Sequence, residues 1–550
     1  MVIDFLDESA PTDQAADICI VGAGAAGLAM AHAFIGTSLK VCLIESGGYA
    51  GEERNQALYE GHSVGSPAFD AASSRMRVFG GSCNLWGGGC MPLSALDLSP
   101  RDWVPHSGWP LSPAELAPYY QRARRFCGIE THALDGDRFL SALKRPPVPL
   151  ADTLVNQIFV RSSVLFGQAY RAQLERAPNI TVLLHANLLE LLATPDGAAV
   201  RHACIGALSG RRGKVRARHF VLACGGIENA RLLLLSDSVL PKGLGNRHGL
   251  VGRYFMDHPS GKLGTLHAKA ADRLARPYDR QLGKGVAPFP EIGLSEQVQR
   301  AHRLLNGRVH PFAVEGPVPR GLRALRGLRA AMRTRSVDEN GRLEARLCAA
   351  MRSETAPEAM LAPARGSLGK LALQLGMGMG DVAHAFARRL VDKPAVRASH
   401  VQLVGYFEQA PNPDSRVSLG EERDALGQRK VRIDWRLTAL DRHTYRTAAN
   451  LFGTELARAC DGRFEPDAWL SEDNASPARV RGTAHHLGTT RMADDPGRGV
   501  VDRHCRVHGM DNLHVAGSSV FPTGGWAFPT FTIIALSLRL ADRLQAMCLA

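Results

Sequence analysis

The chain has 550 residues, of which 45% are hydrophobic and 22% are charged, as is typical of a soluble globular enzyme. This length exceeds one ordinary hydrophobic core, so we expect two closely joined domains. The sequence has no run of 18 uncharged apolar residues, which excludes a spanning helix. The net charge of +13 comes with only 6% aromatic residues and no basic stripe. This combination argues against a nucleic-acid partner and favours acidic substrates or a membrane surface.

The first 16 residues begin with an acidic segment and lack the basic region of a secretory signal. We predict a disordered leader there. The eleven cysteines are odd in number, scattered and without metal-finger spacing. This pattern is typical of reduced thiols and predicts a cytoplasmic protein without a metal site.

The first βα turn is the strongest local pattern in the sequence. The apolar run Asp17–Val21 predicts a buried strand, and Gly22–Gly27 leads from it into an alanine-rich helix that extends to about Ile35. A second apolar run, Lys40–Ile44, ends at Glu45. A strand, a glycine-rich turn, a helix, a strand and an acidic residue in this order predict a dinucleotide-binding unit.

The residues of this unit have separate physical roles. Gly22 permits the tight turn, Gly24 lets a pyrophosphate approach the backbone, and Gly27 lets the helix and the strand pack closely. The helix N-terminus offers free N–H groups and partial positive charge to phosphates. Glu45 follows Gly22 by 23 residues, where a carboxylate accepts hydrogen bonds from a ribose.

A second glycine-rich stretch, Arg75–Gly89, surrounds Trp86 and follows a polar loop over residues 47–67. So many glycines disfavour both a helix and a regular strand. A flexible linker would have the same composition, but the tryptophan and the flanking arginines favour backbone that lies against a flat ligand.

The next segments continue an α/β pattern. We predict helices over residues 112–131, 150–176 and 228–236, strands over 180–185 and 220–223, and a hairpin through Ser209–Gly210. The second of these strands opens through Cys224–Gly226 into its helix, which adds a further layer to the same sheet.

From residue 263 to residue 477 the pattern changes. Val401–Phe407, Arg416–Leu419 and Lys430–Trp435 predict antiparallel strands of a second domain. Arg320–Arg335 places arginines on one half of a helical wheel and leucines on the other. A solvated helix packed on its own domain is favoured, and a helix weakly associated with a membrane surface is the alternative.

The last segment returns to the first domain. Asn512–Ser519 predicts a strand that ends at a Gly-Ser turn, and Pro529 opens a final helix over residues 530–544. The predicted fold is therefore α/β. A discontinuous, Rossmann-like nucleotide-binding domain comprises residues 14–262 and 478–550, and a substrate-binding domain, residues 263–477, is built on an antiparallel sheet with helices.

The order of these motifs resembles the glucose–methanol–choline (GMC) oxidoreductases over nearly the whole chain. The most specific stretches are His485–Met492 and Ala516–Thr523. The resemblance is nearest to bacterial members that act on sugars and polyols and to pyranose oxidases. The other matching stretches are Gly22–Gly27, Gly80–Gly89, Gly225–Arg231, Gly252–Pro259, Pro411–Val417, Val500–Asp502 and Asn512–Thr532.

The resemblance implies FAD, with its ADP half on the first turn and its ring facing the second domain. Some members carry a histidine directly before the tryptophan of the glycine-rich stretch and bond it covalently to FAD. Leu85 stands at that position in this chain, so we expect non-covalent FAD. The residues implied to hold it are Gly22, Gly24, Ala25, Ala26, Gly27, Glu45, Ser46, Arg77, Gly80, Gly81, Asn84, Leu85, Trp86, Gly87, Gly88, Ala223, Gly225, Asn229, Gly517, Ser518, Pro529 and Thr530.

The resemblance also implies oxidation of an alcohol, in which hydride passes to flavin N5 and a histidine takes the hydroxyl proton. His485 stands at the position of this base, and His486 is its neighbour. The family's second polar residue, a His or Asn before the last proline, is Phe528 here, and Trp526 replaces another polar group. Phenylalanine makes no hydrogen bond, and the loss of one such donor costs about 3–4 kcal/mol of transition-state stabilisation.

The catalytic candidates are therefore His485, His486, Phe528 and Trp526. Three explanations of the missing polar group stay open: Trp526 or His486 substitutes for it, the substrate is bulkier and more apolar, or the chemistry has diverged. The predicted activity is oxidation of a CH–OH group of a sugar, polyol or other cyclic alcohol. The alternatives are a flavoenzyme with desaturation or lyase-type chemistry and a protein that keeps FAD without turnover. The sequence does not identify the electron acceptor, oxygen or a redox partner.

Overall fold

The computed structural model describes residues 1–65, 68–130, 148–269, 271–278, 287–334, 343–349, 367–391, 393–471 and 479–549. Two large sheets and one small sheet organise these residues. The α/β class predicted from the sequence is confirmed, with a mostly parallel sheet in one layer and an antiparallel sheet in the other.

The first sheet has eight strands, and the predicted nucleotide-binding strand lies inside it. In spatial order the strands are Val2–Asp4 (β1), Ile180–Leu184 (β7), Val41–Ile44 (β3), Asp13–Val21 (β2), Arg212–Leu222 (β10), Val200–Gly206 (β9) and Asn187–Ala193 (β8), with Leu513–Val515 (β18) beside β10. Strand β2 pairs in parallel with both β3 and β10. Its last four residues are buried, as expected of a strand covered on both faces.

Two buried helices cover the glycine-rich end of this sheet. Ala25–Ala33 (α1) follows β2 and is buried from Ala25 to Ala31, and it packs against the C-terminal helix Pro529–Leu549 (α13). The other helices are Glu53–Gln56 (α2), Ala95–Leu98 (α3), Pro113–Phe126 (α4), Phe166–Arg176 (α5), Gly225–Leu235 (α6), Ala271–Ala275 (α7), Glu296–Ala301 (α8), Arg320–Thr334 (α9), Leu368–Met377 (α10), Met379–Leu390 (α11) and Ala439–Ala459 (α12).

The second sheet is antiparallel and has seven strands. In spatial order they are Gly462–Pro466 (β17), Ser260–Ala268 (β11), Ala398–Phe407 (β14), Gly307–Glu315 (β13), Ala287–Leu294 (β12), Leu154–Arg161 (β6) and Gly89–Cys90 (β5). A small third sheet contains Arg416–Arg423 (β15), Arg429–Asp434 (β16) and Gly61–Ser63 (β4). Separate hydrophobic clusters lie against the two large sheets.

The strands of the second sheet can be compared with the predicted domain boundaries. Strands β5 and β6 come from residues assigned to the nucleotide-binding domain, so the second sheet draws strands from both predicted domains. The boundary between residues 262 and 263 falls inside β11, and the boundary between residues 477 and 478 lies outside the described residues. The division into two domains stays a prediction.

Two local predictions were wrong. The supposed leader contains β1, which extends the first sheet by parallel pairing with β7. Residues 154–161 form β6 instead of the first half of a helix, because antiparallel pairing with β12 outweighs the local helical pattern. The predicted helix ends at residues 131 and 335 lie outside the described residues. None of the described helices combines the length and the apolarity needed to cross a bilayer.

Candidate active site

A cleft opens where the strands of the first sheet end. The turn after β2, Glu45 after β3, residues 223–226 after β10 and residues 517–518 after β18 all line it. The carboxyl ends of parallel strands meet at one edge of a sheet, and this edge is where such folds bind ligands. The lining includes both the first glycine-rich turn and His485, so the cleft suits an extended ligand.

The three glycines of the first turn have three different environments. Gly22 has a φ of +102°, and a Cβ there would lie 2.7 Å from the Ala223 carbonyl oxygen. A Cβ on Gly27 would collide with the Gly22 carbonyl oxygen, so the helix and the turn are in direct backbone contact. Gly24 lines the cleft, and a Cβ there would meet nothing within 4 Å. Backbone is therefore open to a ligand at Gly24.

Glu45 is held at the wall of the cleft by backbone donors. The Ala23 N–H donates to Glu45 Oε2 and the Gly47 N–H donates to Oε1, each at 2.9 Å. Burial raises the pKa of Glu45, and the two backbone hydrogen bonds oppose that shift. A carboxylate has about four lone-pair sites, so Glu45 keeps acceptor capacity for a ligand hydroxyl.

Three arginines line the same cleft around a buried carboxylate. Arg75, Arg77 and Arg231 surround Glu228 at N–O distances of 3.2, 3.3 and 2.8 Å. Burial would raise the pKa of Glu228, but the three guanidinium groups outweigh it and lower the pKa to about 2. Arg231 also pairs with Asp424 at 2.6 Å. With Glu45, three carboxylates balance the three cations among the residues that line the cleft.

The residues of the cleft fit the FAD implied by the resemblance. Open backbone at Gly24 and two helix N-termini, those of α1 and α13, face the same space and offer N–H groups to anionic or electron-rich parts of a ligand. His486 lines the cleft, and its buried Nε2 has no hydrogen-bond partner among the described residues. A buried polar atom without a partner is costly, and a ligand in the cleft would supply one.

His485 also lines the cleft, in a network of polar side chains. Its Nδ1 is 3.2 Å from His258 Nδ1 and 2.8 Å from Thr483 Oγ1. The buried Asp257 carboxylate accepts the backbone N–H of His485 at 2.9 Å and that of His258 at 2.6 Å. One carboxylate therefore fixes both histidines, although 227 residues separate them along the chain.

This environment favours neutral histidines. Burial, followed by the charges of His258, His486 and Arg308, lowers the pKa of His485 well below its usual range. Burial and Arg308 lower the pKa of His258 to about 4. Burial raises the pKa of Asp257 to about 6. A neutral imidazole at the cleft wall has a lone pair with which it can accept a proton.

Aromatic side chains enclose His485 on the side of the last helix. The rings of Phe528 and His485 meet edge to face, with centroids 5.5 Å apart, and Phe159 packs against Phe528 at 5.2 Å. The Arg308 guanidinium lies 5.1 Å from the Phe528 ring and 5.4 Å from that of Trp526. Phe528 therefore forms an apolar wall beside His485.

The cleft brings together many, but not all, of the residues predicted from the sequence. Among the catalytic candidates, His485 and His486 line it, whereas Trp526 and Phe528 do not. The predicted cofactor residues that line it are Gly22, Gly24, Ala25, Ala26, Glu45, Ser46, Arg77, Gly81, Ala223, Gly225, Gly517, Ser518, Pro529 and Thr530. Those that do not line it are Gly27, Gly80, Asn84, Leu85, Trp86, Gly87, Gly88 and Asn229.

The residues outside the wall have other contacts. The Trp86 Nε1–H donates to the Val164 carbonyl at 3.0 Å, and Leu85 packs on a small apolar cluster. Asn229 donates to the Ala516 carbonyl at 3.0 Å and to Ser519 Oγ at 2.9 Å, which ties α6 to the segment after β18. These contacts hold together segments that adjoin the lining of the cleft.

Sequence reasoning missed His258, Asp257 and Thr483. His258 and Asp257 lie in Gly252–Pro259, one of the stretches that carried the resemblance, and Thr483 lies two residues before His485. An Asp-His pair followed by proline in such a stretch was an available signal. That Trp526 or His486 substitutes for the missing polar group stays a prediction. His258, which was not predicted, contacts His485 directly.

Comparison with known proteins shows which proteins this chain is similar to. Residues 411–537 match the family model described as GMC oxidoreductase. The chain is 25% identical to 6'''-hydroxyparomomycin C oxidase of Streptomyces lividus over 97% of this chain and 92% of that protein. It is 24% identical to paromamine 6'-oxidase of Streptomyces fradiae over 96% of this chain and 91% of that protein.

A solved structure shares the fold. The formate oxidase of Aspergillus oryzae, a protein that carries FAD, superposes with a TM-score of 0.57 and 17% identity, over 98% of this chain and 99% of that one. At this identity the likeness establishes the fold alone.

Proposed function

We propose that this chain is an FAD-dependent GMC oxidoreductase of CH–OH groups, as its relatives indicate, and that it oxidises a sugar-like or other cyclic alcohol with His485 as the base. The single observation that carries the assignment of His485 is its position at the cleft wall with Nδ1 held by His258 and Thr483. The diverged desaturation or lyase-type chemistry is not favoured.

The contacts of His485 assign a role to each ring nitrogen. Thr483 Oγ1 lies 3.0 Å from the His258 carbonyl and can donate its proton there, so its oxygen can accept the N–H of His485 Nδ1. With the proton on Nδ1, the lone pair of Nε2 is available for the substrate hydroxyl. Asp257, Thr483 and His258 are positioning residues, because they act on the substrate through His485.

FAD, when bound, supplies the acceptor for the hydride that leaves the substrate carbon. The protein's own part is to remove the hydroxyl proton at His485, whose ring packs edge to face on Phe528, and to hold the cofactor on the Gly24 backbone and Glu45. We propose that the attachment of FAD is non-covalent, because Leu85 has no nucleophilic atom.

The substrate class rests on the two Streptomyces relatives, whose names describe oxidation of paromamine and of a hydroxyparomomycin. A sugar-like alcohol of this kind is the first class to test. Either oxygen or a redox partner accepts the electrons in the second half of the reaction. The free cysteines support a cytoplasmic location as part of this proposal.

The test is anaerobic titration of the purified yellow protein with a panel of amino sugars, sugars, polyols and simple alcohols. We expect one class to bleach the flavin. The His485→Ala variant should reduce its flavin about 10²–10⁴-fold more slowly, the usual share of general-base catalysis, while its flavin content stays unchanged because FAD lies mostly on other residues.

The matched control is His302→Ala, since His302 is exposed and remote from the cleft. A His485→Ala enzyme that reduces flavin at the wild-type rate would contradict the assignment of the base. His258 would then be the next residue to replace. Failure of every alcohol to bleach the wild-type flavin would contradict the proposed substrate class.

A further inference from the structure

The exposed apolar side chains of this protein are concentrated in one place. Of the twelve large hydrophobic residues that are exposed in the described structure, eight lie between Met332 and Val391. They are Met332, Leu368, Leu373, Met377, Met379, Phe386, Leu390 and Val391. Exposed apolar residues scattered singly are normal, but a concentration of them marks an interaction surface.

Two consecutive helices carry most of this surface. On α10, Leu373 and Met377 are four residues apart, and on α11, Met379, Phe386 and Leu390 recur at spacings of seven and four. Residues at these spacings share one face of a helix. Met377 is 75% exposed and Leu390 is 72% exposed, so each helix presents an apolar face to solvent. We call α10 and α11 together the apolar hairpin.

The hairpin is fixed to the rest of the molecule by its other side. Gly378 joins the two helices, and it touches Gly321 of α9 so closely that a Cβ on either glycine would collide with the backbone of the other. The Gly321 N–H donates to Asp381 Oδ2 at 3.1 Å. Ala385 is buried against Leu322. The exposed face is therefore held in a defined orientation.

The basic helix predicted from the sequence lies beneath this hairpin. Its apolar side is covered at Leu322 and Ala324, which are buried, and exposed at Met332 near the end of the helix. The covered part agrees with the favoured prediction of a helix packed on its own domain. Most of the exposed apolar residues of this region belong to the hairpin. Its surroundings are mostly cationic, and the exposed basic residues on α9, on the hairpin and just after it include Arg320, Arg323, Arg326, Arg329, Lys370, Arg389 and Lys393. Arg326 is paired with the exposed Glu315.

We propose that the apolar hairpin docks on the surface of an anionic phospholipid membrane. An apolar face bordered by Lys and Arg is the arrangement that inserts at the boundary between headgroups and acyl chains. The hairpin contains one acidic residue, Asp381, and Gly321 already occupies one of its oxygens. A second copy of this chain is a poorer partner, because a symmetric contact would bring the same cations together.

The position of the hairpin in the fold leaves the active site free. The hairpin lies in the long connection between β13 and β14, beyond the end at which Glu315 pairs with Ala398. Arg308, beside Phe528, is at the other end of β13. Glu315 lies seven residues further along the strand than Arg308, a distance of about 23 Å. Docking through the hairpin therefore does not involve His485.

The experiment is co-sedimentation of the flavin-loaded enzyme with vesicles at low salt. We expect wild-type protein to pellet with vesicles of phosphatidylglycerol and phosphatidylcholine and to stay in solution with pure phosphatidylcholine. Phe386→Glu and Leu390→Glu should each weaken binding at least tenfold. Arg389→Glu should weaken it at least fivefold, since each basic residue near an anionic surface strengthens binding about fivefold.

The matched controls are Leu549→Glu and Arg463→Glu, which alter an apolar residue and a basic residue that are similarly exposed elsewhere. All variants should keep wild-type flavin content and turnover. No pelleting of the wild type, equal pelleting with neutral vesicles, or equal losses in the controls would each overturn the proposal. A wild-type dimer in sedimentation velocity that Phe386→Glu converts to a monomer would also overturn it, because the face would then be a contact between two copies.

Discussion

His485 has its chemistry set by its neighbours. Burial and the nearby charges of His258, His486 and Arg308 hold its pKa well below 6.5. A base acts in its deprotonated form, so turnover is lost only as pH falls through this lowered pKa. The Asp257 carboxylate, which orients His485 and has a pKa raised to about 6, loses its charge in the same direction of pH change.

We therefore predict that kcat/KM falls on the acid side with a midpoint below pH 6.5. Titration of His485 should cause no decrease in kcat/KM between pH 6.5 and 8. The measurement is kcat/KM between pH 4 and 9, because this quantity reports the pKa values of the free enzyme. A midpoint at or above 6.5 would show that the histidine that titrates is not in the environment of His485.

Replacement of Phe528 tests whether the substrate needs an apolar side chain beside His485. Phe528→Asn restores a polar group next to His485, and we expect it to preserve or raise the rate of flavin reduction by a sugar. An apolar substrate would behave differently, since the loss of the ring would weaken its binding by about 1–3 kcal/mol. Stopped-flow reduction at several substrate concentrations separates rate from affinity. Phe464→Asn, at a half-buried ring in the edge strand β17, is the control for a general loss of stability.

At the scale of elements, the β2–α1 connection combines rigid packing with an open ligand face. The contact of Gly27 with Gly22 holds the start of α1 against the turn, whereas the Gly24 position is open toward the cleft. Side-chain atoms at Gly24 would therefore enter space that a pyrophosphate needs, without disturbing the packing of the helix.

Gly24→Val should accordingly yield a folded protein with little or no flavin. The measurements are the ratio of absorbance at 450 nm to that at 280 nm and the circular dichroism spectrum. Gly369→Val is the matched control, because Gly369 is also open to solvent and lies in the first turn of α10. Full flavin content in Gly24→Val would contradict the placement of the pyrophosphate.

Acid precipitation of the wild type should release all flavin if its attachment is non-covalent.

At the scale of the whole molecule, a buried ion pair joins parts of the chain that are distant in sequence. Arg101 donates to both oxygens of Glu408 at 2.7 and 2.6 Å, and both side chains are fully buried. Glu408 follows β14 and also accepts the backbone N–H of Asn306 and of Gly525. The pair therefore connects the second sheet to the segment that leads to Phe528 and α13.

Glu408→Gln should lower the free energy of unfolding by about 3–5 kcal/mol, since it leaves a buried guanidinium without its counterion. Urea unfolding of the flavin-loaded protein, followed by circular dichroism, measures the change. Glu465→Gln removes an exposed carboxylate on β17 and should cost less than about 1 kcal/mol. Equal decreases in the free energy of unfolding of the two variants would mean that the buried pair stabilises the protein no more than an exposed carboxylate does.

By itself, the sequence determined the nucleotide-binding half of this protein, because its signals are local. Backbone freedom at Gly22, packing at Gly27 and the acidic residue at 45 act within one βα unit, so their spacing is sufficient to identify it. The same reasoning located the final helix, whose first residue is the predicted Pro529.

Only the tertiary structure decided which groups meet at His485 and which apolar faces stay uncovered. Asp257 and His258 approach His485 through pairing between segments more than 220 residues apart, and no local pattern encodes that distance. Strand β6 forms because β12 pairs with it, against a local helical pattern. The sequence of an amphipathic helix is the same whether its apolar side is buried, as at Leu322 of α9, or exposed, as on the apolar hairpin. Its surroundings in the fold make that difference.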